Sequence, residues 1–300
     1  MEGNILISIL TPSFNRASLL TKLYDSLKNQ SDFSFEWIIA DDGSNDNTKD
    51  VCNSFTNDKF DIKYIYKENG GKHTAINEGV KYCKGILTFI VDSDDCLTAN
   101  AIEEIKKYYF KYNNLNDIAG FSFLRQYPDG KLNITSNHEN EYIASYNNVR
   151  IYEQRIGDMA EVYYTDILKQ YPFPIFENEK FLGEDVIWIE IGKKYNLVFI
   201  NEPIYISNYL DTGLTKNRRS NNIKSCNGCY YRAKEMLNIK LPFKLKIKTI
   251  IQLYVYGKFG KKDYKQIKND SNYKLLLSLL HFPSYILYKK WKKYGGEERR

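Results

Sequence analysis

Four short apolar runs punctuate the first third of the chain: Ile5–Leu10, Phe35–Ala40, Ile62–Tyr66 and Ile86–Val91. Each has the length and apolar content of a buried strand. The intervening stretches change period. Leu19, Leu20, Leu23 and Leu27 fall on one helical face, and a polar helix begins near Asn45 with Asp46 and Thr48 in its first turn. Ala75, Ile76, Gly79 and Val80 point inward from a helix over about Lys72–Cys83, and a fourth helix covers Ala99–Tyr112. Strand–helix alternation with near-continuous apolar strands predicts an α/β fold, a parallel sheet covered on both faces.

Ligands of such sheets bind beyond the carboxyl ends of the strands. The four strands end in Thr11-Pro12-Ser13-Phe14-Asn15-Arg16, Asp41-Asp42-Gly43-Ser44, Glu68-Asn69-Gly70-Gly71-Lys72-His73 and Asp92-Ser93-Asp94-Asp95. Polar and acidic residues thus collect on one edge, which predicts a crevice lined by several carboxylates. A dinucleotide fold would place G-x-G-x-x-G after the first strand, where this chain has Pro12 and Phe14, and no P-loop is present. Three carboxylates within Asp92–Asp95 repel one another, and a divalent cation is the simplest compensation. Oxygen-only ligation suits Mg²⁺ or Mn²⁺ and not zinc. The competing reading is a solvated acidic turn before a helix.

These four segments, with Gly71-Lys72-His73-Thr74-Ala75-Ile76-Asn77-Glu78-Gly79 extending the third, resemble in order and spacing the family 2 glycosyltransferases of GT-A fold. The resemblance covers about residues 5–215. It implies a Rossmann-like, mostly parallel sheet flanked by helices, with residues 1–215 as the nucleotide-sugar-binding and catalytic domain. Residues 216–300 then form a basic, amphipathic helical extension. By position, Pro12, Ser13 and Asp42, with Asn15 and Asp41 nearby, would line the nucleoside site. Lys72 and Asn77 match donor-site positions, Asp92 and Ser93 would approach ribose or sugar, and Asp94 with Asp95 would hold the metal. Arg16 has no assigned role beyond the start of a helix.

Transfer from a nucleotide sugar needs a neutralised leaving diphosphate and a carboxylate that takes the proton of the acceptor hydroxyl. Phe181-Leu182-Gly183-Glu184-Asp185-Val186-Ile187-Trp188 supplies two acids at a helix start, with Ile187, Trp188 and Ile191 inward. Acids favoured by the helix dipole are the bland alternative. The resemblance makes Asp185, with Glu184 beside it, the catalytic base of an inverting enzyme. It also makes Tyr209–Thr215 a loop over the donor, and Trp188 and Tyr209 could stack on an acceptor sugar. Residues 125–160 are mixed and uninformative.

Composition adds two constraints. Charge is split: Lys240–Arg300 carries 16 Lys/Arg against 4 Asp/Glu, whereas residues 1–239 carry 27 against 33. The basic tail, with its Leu275–Leu280 run and Lys289-Lys290-Trp291-Lys292-Lys293, has the pattern of an interfacial helix pair divided at Pro283, suited to an anionic membrane surface. Packing of the tail on the body is the alternative. The odd count of 5 cysteines and the start Met1-Glu2-Gly3-Asn4 predict reduced, cytoplasmic thiols, with the protein peripheral on the inner face of the cell membrane. Cys226 and Cys229 are expected to be helical core residues.

The function expected is thus metal-dependent, inverting transfer from a UDP-sugar to a saccharide or lipid-linked saccharide in surface polysaccharide synthesis, without nucleic acid. The alternatives are a nucleotidyltransferase, disfavoured by the missing Gly-rich, Arg-containing loop, and a non-catalytic nucleotide- or membrane-binding module.

Overall fold

The computed structural model describes residues 5–134, 140–155, 157–207 and 218–297. The chain opens with β1 (Ile7–Ser13), α1 (Ala17–Lys28), β2 (Phe35–Asp41), α2 (Thr48–Ser54), β3 (Ile62–Tyr66), α3 (Lys72–Val80), β4 (Leu87–Ile90), β5 (Cys96–Leu97) and α4 (Ala101–Tyr112). The middle contains β6 (Ile118–Gln126), β7 (Glu141–Ala144), a π-helical turn (Asn147–Tyr152), β8 (Met159–Tyr164), α5 (Thr165–Gln170), α6 (Asp185–Ile191) and β9 (Asn196–Ile206). Helices α7 (Arg218–Lys224), α8 (Cys226–Leu237), α9 (Phe243–Phe259), α10 (Tyr264–Asn269), α11 (Lys274–Leu279) and α12 (His281–Glu297) follow.

The strands form one sheet in the order β3-β2-β1-β4-β8-β6-β9-β5, with β7 on the N-terminal half of the same β9 edge that β5 completes. The first four are parallel, as their apolar runs predict. Strand β8 then enters antiparallel to β4 and to β6, so the parallel half is continued by a mixed half. Every residue of β1 and β2 is buried, because both faces are covered. Ile7, Ile9, Trp37 and Ile39 pack under α1, α2 and α4, while Leu10, Ile38 and Ala40 meet Ala75, Ile76 and Val80 of α3 on the opposite side. On α1, Leu20, Leu23, Tyr24 and Leu27 form the buried stripe, with Leu19 partly out.

The second apolar layer runs without a break from α3 through Val186, Ile187 and Trp188 of α6 to Ala233 and Met236 of α8, Ile250 and Leu253 of α9, and Leu277 of α11. The C-terminal helices therefore share one core with the sheet. In the tail, the helix break falls at Leu280 and not at Pro283. Pro283 lies in the first turn of α12, where a missing N–H goes unused. Cys226 and Cys229 lie at the start of α8, and burial pushes their thiols up to about 11 and about 12.

Candidate active site

At the carboxyl edge of the parallel half, Ser13 pairs in register with Asp41, and Asp41 with Tyr66. Asp41 accepts hydrogen bonds from the Ser44 amide (2.8 Å) and the Tyr64 hydroxyl (2.5 Å). Asp42 is a hub. Its carboxylate takes the Lys67 ammonium (2.7 Å), the Gly70 and Gly71 amides (2.9 and 2.6 Å) and the Asn69 side chain (3.1 Å). That saturation folds the turn leading into α3. Gly71 there has φ 99°, and a Cβ would lie 2.1 Å from the Lys180 carbonyl oxygen, so only glycine fits. Asn15, at φ 53°, ties the loop after β1 to the loop after β2: its amide donates to Ser44 Oγ and its side chain accepts from the Asn45 amide, both at 2.8 Å. Pro12 is buried within β1, and Ser13 Oγ is buried with no hydrogen-bond partner among the described residues.

Asp92, Asp94 and Asp95 bring one carboxylate oxygen each within 4.8 Å of one another. Their partners differ. Asp95 accepts from the Tyr205 hydroxyl at 2.7 Å, and that hydroxyl also takes the Asp92 amide at 3.0 Å. Arg125 lies 4.0 Å over the Tyr205 ring and 3.9 Å from Asp95. Burial raises the Asp92 carboxyl, but the charges of Lys72 and Arg125 outweigh it and hold it below the ordinary range. Asp94 goes the other way: burial and the Asp92 charge lift it, with Arg16 and Lys72 opposing. An all-oxygen cluster with one carboxylate left electrostatically strained fits a hard divalent cation. Ser93 is buried between these acids.

Lys72, at the first turn of α3, joins this cluster to the second half of the chain. Its ammonium is ion-paired to Asp92 and, at 2.5 Å, to Glu184. Burial opposes the Lys72 charge, yet the two carboxylates prevail and raise it. Asp185 follows Glu184 and opens α6. Arg232 of α8 grips its Oδ2 with two donors, Nε at 2.7 Å and Nη2. Burial counts against the guanidinium, but Asp185 reverses that and raises Arg232. A Cβ on Gly183 would come within 2.8 Å of Asp185 Oδ1, so the glycine gives that oxygen its room.

A cleft of about 260 Å³ joins these groups. It is lined by Asp92, Glu184 and Asp185, by Arg125 of β6 and Glu161 of β8, and by Tyr146 and Trp188. Trp188 is 5% exposed and stacks on Tyr163 with centroids 4.3 Å apart, so it serves the core as well as the cleft wall.

The structure gathers Lys72, Asp92, Asp94, Asp95, Glu184 and Asp185 around one edge. Asn77 is placed otherwise: its amide exchanges two 2.8 Å hydrogen bonds with the Phe173 backbone and clamps α3 to the segment before α6. Residues Tyr209–Thr215 lie outside the described residues. Sequence reasoning passed over Arg125, Tyr146, Glu161, Tyr205 and Arg232. A lone arginine closing the apolar run Phe121–Leu124 and a lone glutamate between Ala160 and Val162 were the available signals. Arg16, set aside at the sequence level, lies close enough to act on Asp92 and Asp94.

A sequence model of glycosyl transferase family 2 matches residues 8–161. Chondroitin synthase of Pasteurella multocida is 36% identical over 110 residues, covering 37% of this chain and 11% of the relative. Glycosyltransferase GlyA of Streptococcus pneumoniae is 27% identical over 204 residues, 67% of this chain and 28% of the relative. The chain thus spans only about a tenth to a quarter of these relatives. Among solved structures, residues 1–349 of S. aureus TarS, in complex with UDP-GlcNAc, superimpose with a TM-score of 0.63 at 14% identity, over 98% of this chain and 91% of that one. A mannosyltransferase of Pyrobaculum calidifontis, in complex with GDP-Man and Mn²⁺, gives 0.55 at 15% identity, over 97% and 83%. At such identities these likenesses establish the fold, a GT-A-type arrangement.

Proposed function

Since the chain belongs to glycosyl transferase family 2, we propose that it moves a sugar, with inversion, from a UDP-sugar to a hydroxyl of a saccharide or lipid-linked saccharide in surface polysaccharide synthesis. One observation carries this reading: Lys72 joins the Asp92–Asp95 cluster to Glu184, the neighbour of Asp185, across a single cleft. Donor-side and acceptor-side chemistry can therefore meet at one anomeric carbon. The UDP-GlcNAc bound by the TarS fragment favours a uridine donor, and the Mn²⁺ of the mannosyltransferase favours a metal.

In this reading the strand-end loops hold the nucleotide, with Pro12, Ser13, Asn15 and Asp41 at the nucleoside and Asp92 with Ser93 toward the sugar. Asp42 acts indirectly, by fixing the turn that presents Lys72. Asp94 and Asp95, with Asp92, would hold Mg²⁺ or Mn²⁺, which when bound neutralises charge developing on the leaving diphosphate. Asp185 accepts the acceptor's hydroxyl proton at Oδ1, since Arg232 occupies Oδ2. Glu184 and Lys72 keep the two sides in register.

The tail supplies a location. Leu275, Leu279, Phe282, Tyr285 and Ile286 are exposed, while Leu287, Tyr288 and Trp291 of the opposite α12 face pack on the core. Exposed Lys289, Lys290 and Lys293 continue the outward face. This suits peripheral binding to the anionic inner face of the cell membrane, close to a lipid-linked acceptor. No helix among the described residues is long and apolar enough to cross a membrane.

The test is UDP release across a panel of UDP-sugars with Mn²⁺ or EDTA. Release from one donor, abolished by EDTA and by Asp94→Ala, is expected. Asp185→Asn should keep UDP binding and lose about 10²–10⁴-fold in transfer rate. Normal turnover by Asp185→Asn would overturn the base assignment, and pyrophosphate in place of UDP would mark a nucleotidyltransferase.

A further inference from the structure

Among the polar side chains that line the cleft, Tyr146 and Glu161 take no part in the transfer step. Tyr146, just before the π-helical turn, is 6% exposed and lines the cleft beside Asp185. Glu161, central in β8, lines the same cleft and is half-buried. Among the described residues no side chain hydrogen-bonds the Tyr146 hydroxyl or the Glu161 carboxyl. Both groups face the cleft, where a ligand's hydroxyls can reach them.

The cations nearby are partly engaged. Arg150 directs Nη1 to the Arg155 carbonyl at 2.9 Å and Nη2 to the Gly157 carbonyl. Arg125 donates Nε to the Met159 carbonyl at 2.7 Å and faces Asp95. Lys72 and Arg232 are tied to Asp92, Glu184 and Asp185. An anionic group entering here would meet the carboxylates of Asp92, Asp158, Glu161, Glu184 and Asp185 against only two guanidiniums, Arg125 and Arg150, whereas a sugar hydroxyl can donate to Glu161 and accept from Tyr146. The volume, about 260 Å³, falls below the roughly 300–1,000 Å³ of pockets for drug-sized ligands and suits a single sugar unit.

We propose that Tyr146 and Glu161 are the acceptor-recognition pair and that they select uncharged saccharides over anionic ones. This rests on the glycosyltransferase reading above and gives it an acceptor class. Asp185 takes the proton of one hydroxyl, and the pair holds neighbouring hydroxyls so that the reacting oxygen faces the anomeric carbon.

The experiment uses the full chain, its UDP-sugar donor and a panel of octyl β-glycosides: glucoside, galactoside, N-acetylglucosaminide and glucuronide. Transfer is followed by UDP release and product mass, and UDP binding by calorimetry. Neutral glycosides are expected to be accepted, with the glucuronide at least about tenfold poorer in kcat/KM. Tyr146→Phe and Glu161→Gln should each raise the KM for the neutral acceptor about tenfold, the loss of one good hydrogen bond, while UDP affinity stays put. Glu161→Gln should also narrow the discrimination against the glucuronide. Equal or better use of the glucuronide, intact UDP binding with no transfer to any neutral glycoside, or both variants within twofold of the parent in acceptor KM would overturn the proposal. Absence of UDP binding would instead overturn the reading beneath it.

Discussion

Glu161 shows how a site residue can strain the fold that holds it. Burial lifts its carboxyl to about 7; Arg150 and Arg125 oppose this and Glu184 adds to it. In the unfolded chain the same group ionises near its ordinary value of 4.5. Between those values the unfolded state has already released a proton that the folded state retains. Stability from this group therefore falls as pH rises from about 4.5 and levels off above about 7, by at most about 3 kcal/mol. Glutamine cannot ionise, so Glu161→Gln should gain melting temperature over the parent as pH rises from 4.5 to 7 and hold that gain at pH 8. A constant difference across this range would show that Glu161 ionises at the same pH in the folded and unfolded chains. In the sequence only its place between Ala160 and Val162 marks Glu161, and nothing marks the charges that face it.

At the scale of elements, the reach of α8 into the site has the clearest consequence. Arg232 fixes one oxygen of Asp185 with two donors from a helix 47 residues further on. It acts as a positioning residue. Arg232→Ala should lower kcat about 10–100-fold with little change in donor KM, because the base remains but is free to turn. Arg232→Lys should recover part of that, since an ammonium restores charge without the guanidinium fork. A rise in donor KM with kcat preserved would contradict this role. Strands β1, β2 and β4 were legible because they are hidden on both faces and so read as continuous apolar runs, and α1 and α4 because each buries one face at helical spacing. The antiparallel entry of β8 and the pairing of β6 with β9 were not, since register between distant strands leaves no local mark. Helix α2 begins three residues later than Asn45 suggests, because Asp46 turns back to cap the Thr48 amide at 3.0 Å.

For the whole molecule, the division of the tail's side chains decides how the body would sit on a bilayer. The sequence pattern ran all tail hydrophobics together; packing sends Leu276, Leu277, Leu287 and Trp291 inward and leaves Leu275, Leu279, Phe282 and Ile286 outside. The triple change Leu279→Ser, Phe282→Ser, Ile286→Ser removes only outward groups and should preserve folding. It should weaken sedimentation with phosphatidylglycerol vesicles at least about tenfold, given the apolar area lost. Equal sedimentation of parent and variant, or none by the parent, would remove the membrane from the account. The motif-bearing edge was legible because adjacent strand ends converge whatever lies beyond them; Tyr146, Glu161 and Arg232 reach the same cleft only through tertiary packing.

That late arrival of Arg232 also orders events in time. A ribosome emits a chain from its N-terminal side, and N-terminal parts of a protein begin to fold while the rest is still being made. The parallel strands and the acids at their ends can come together early, yet Asp185 stays unsecured until α8 has cleared the exit tunnel. Translation thus completes the strand-end acids before the Asp185–Arg232 pair, so on the proposed reading a nascent chain stalled before Arg232 would carry the donor side without a fixed base.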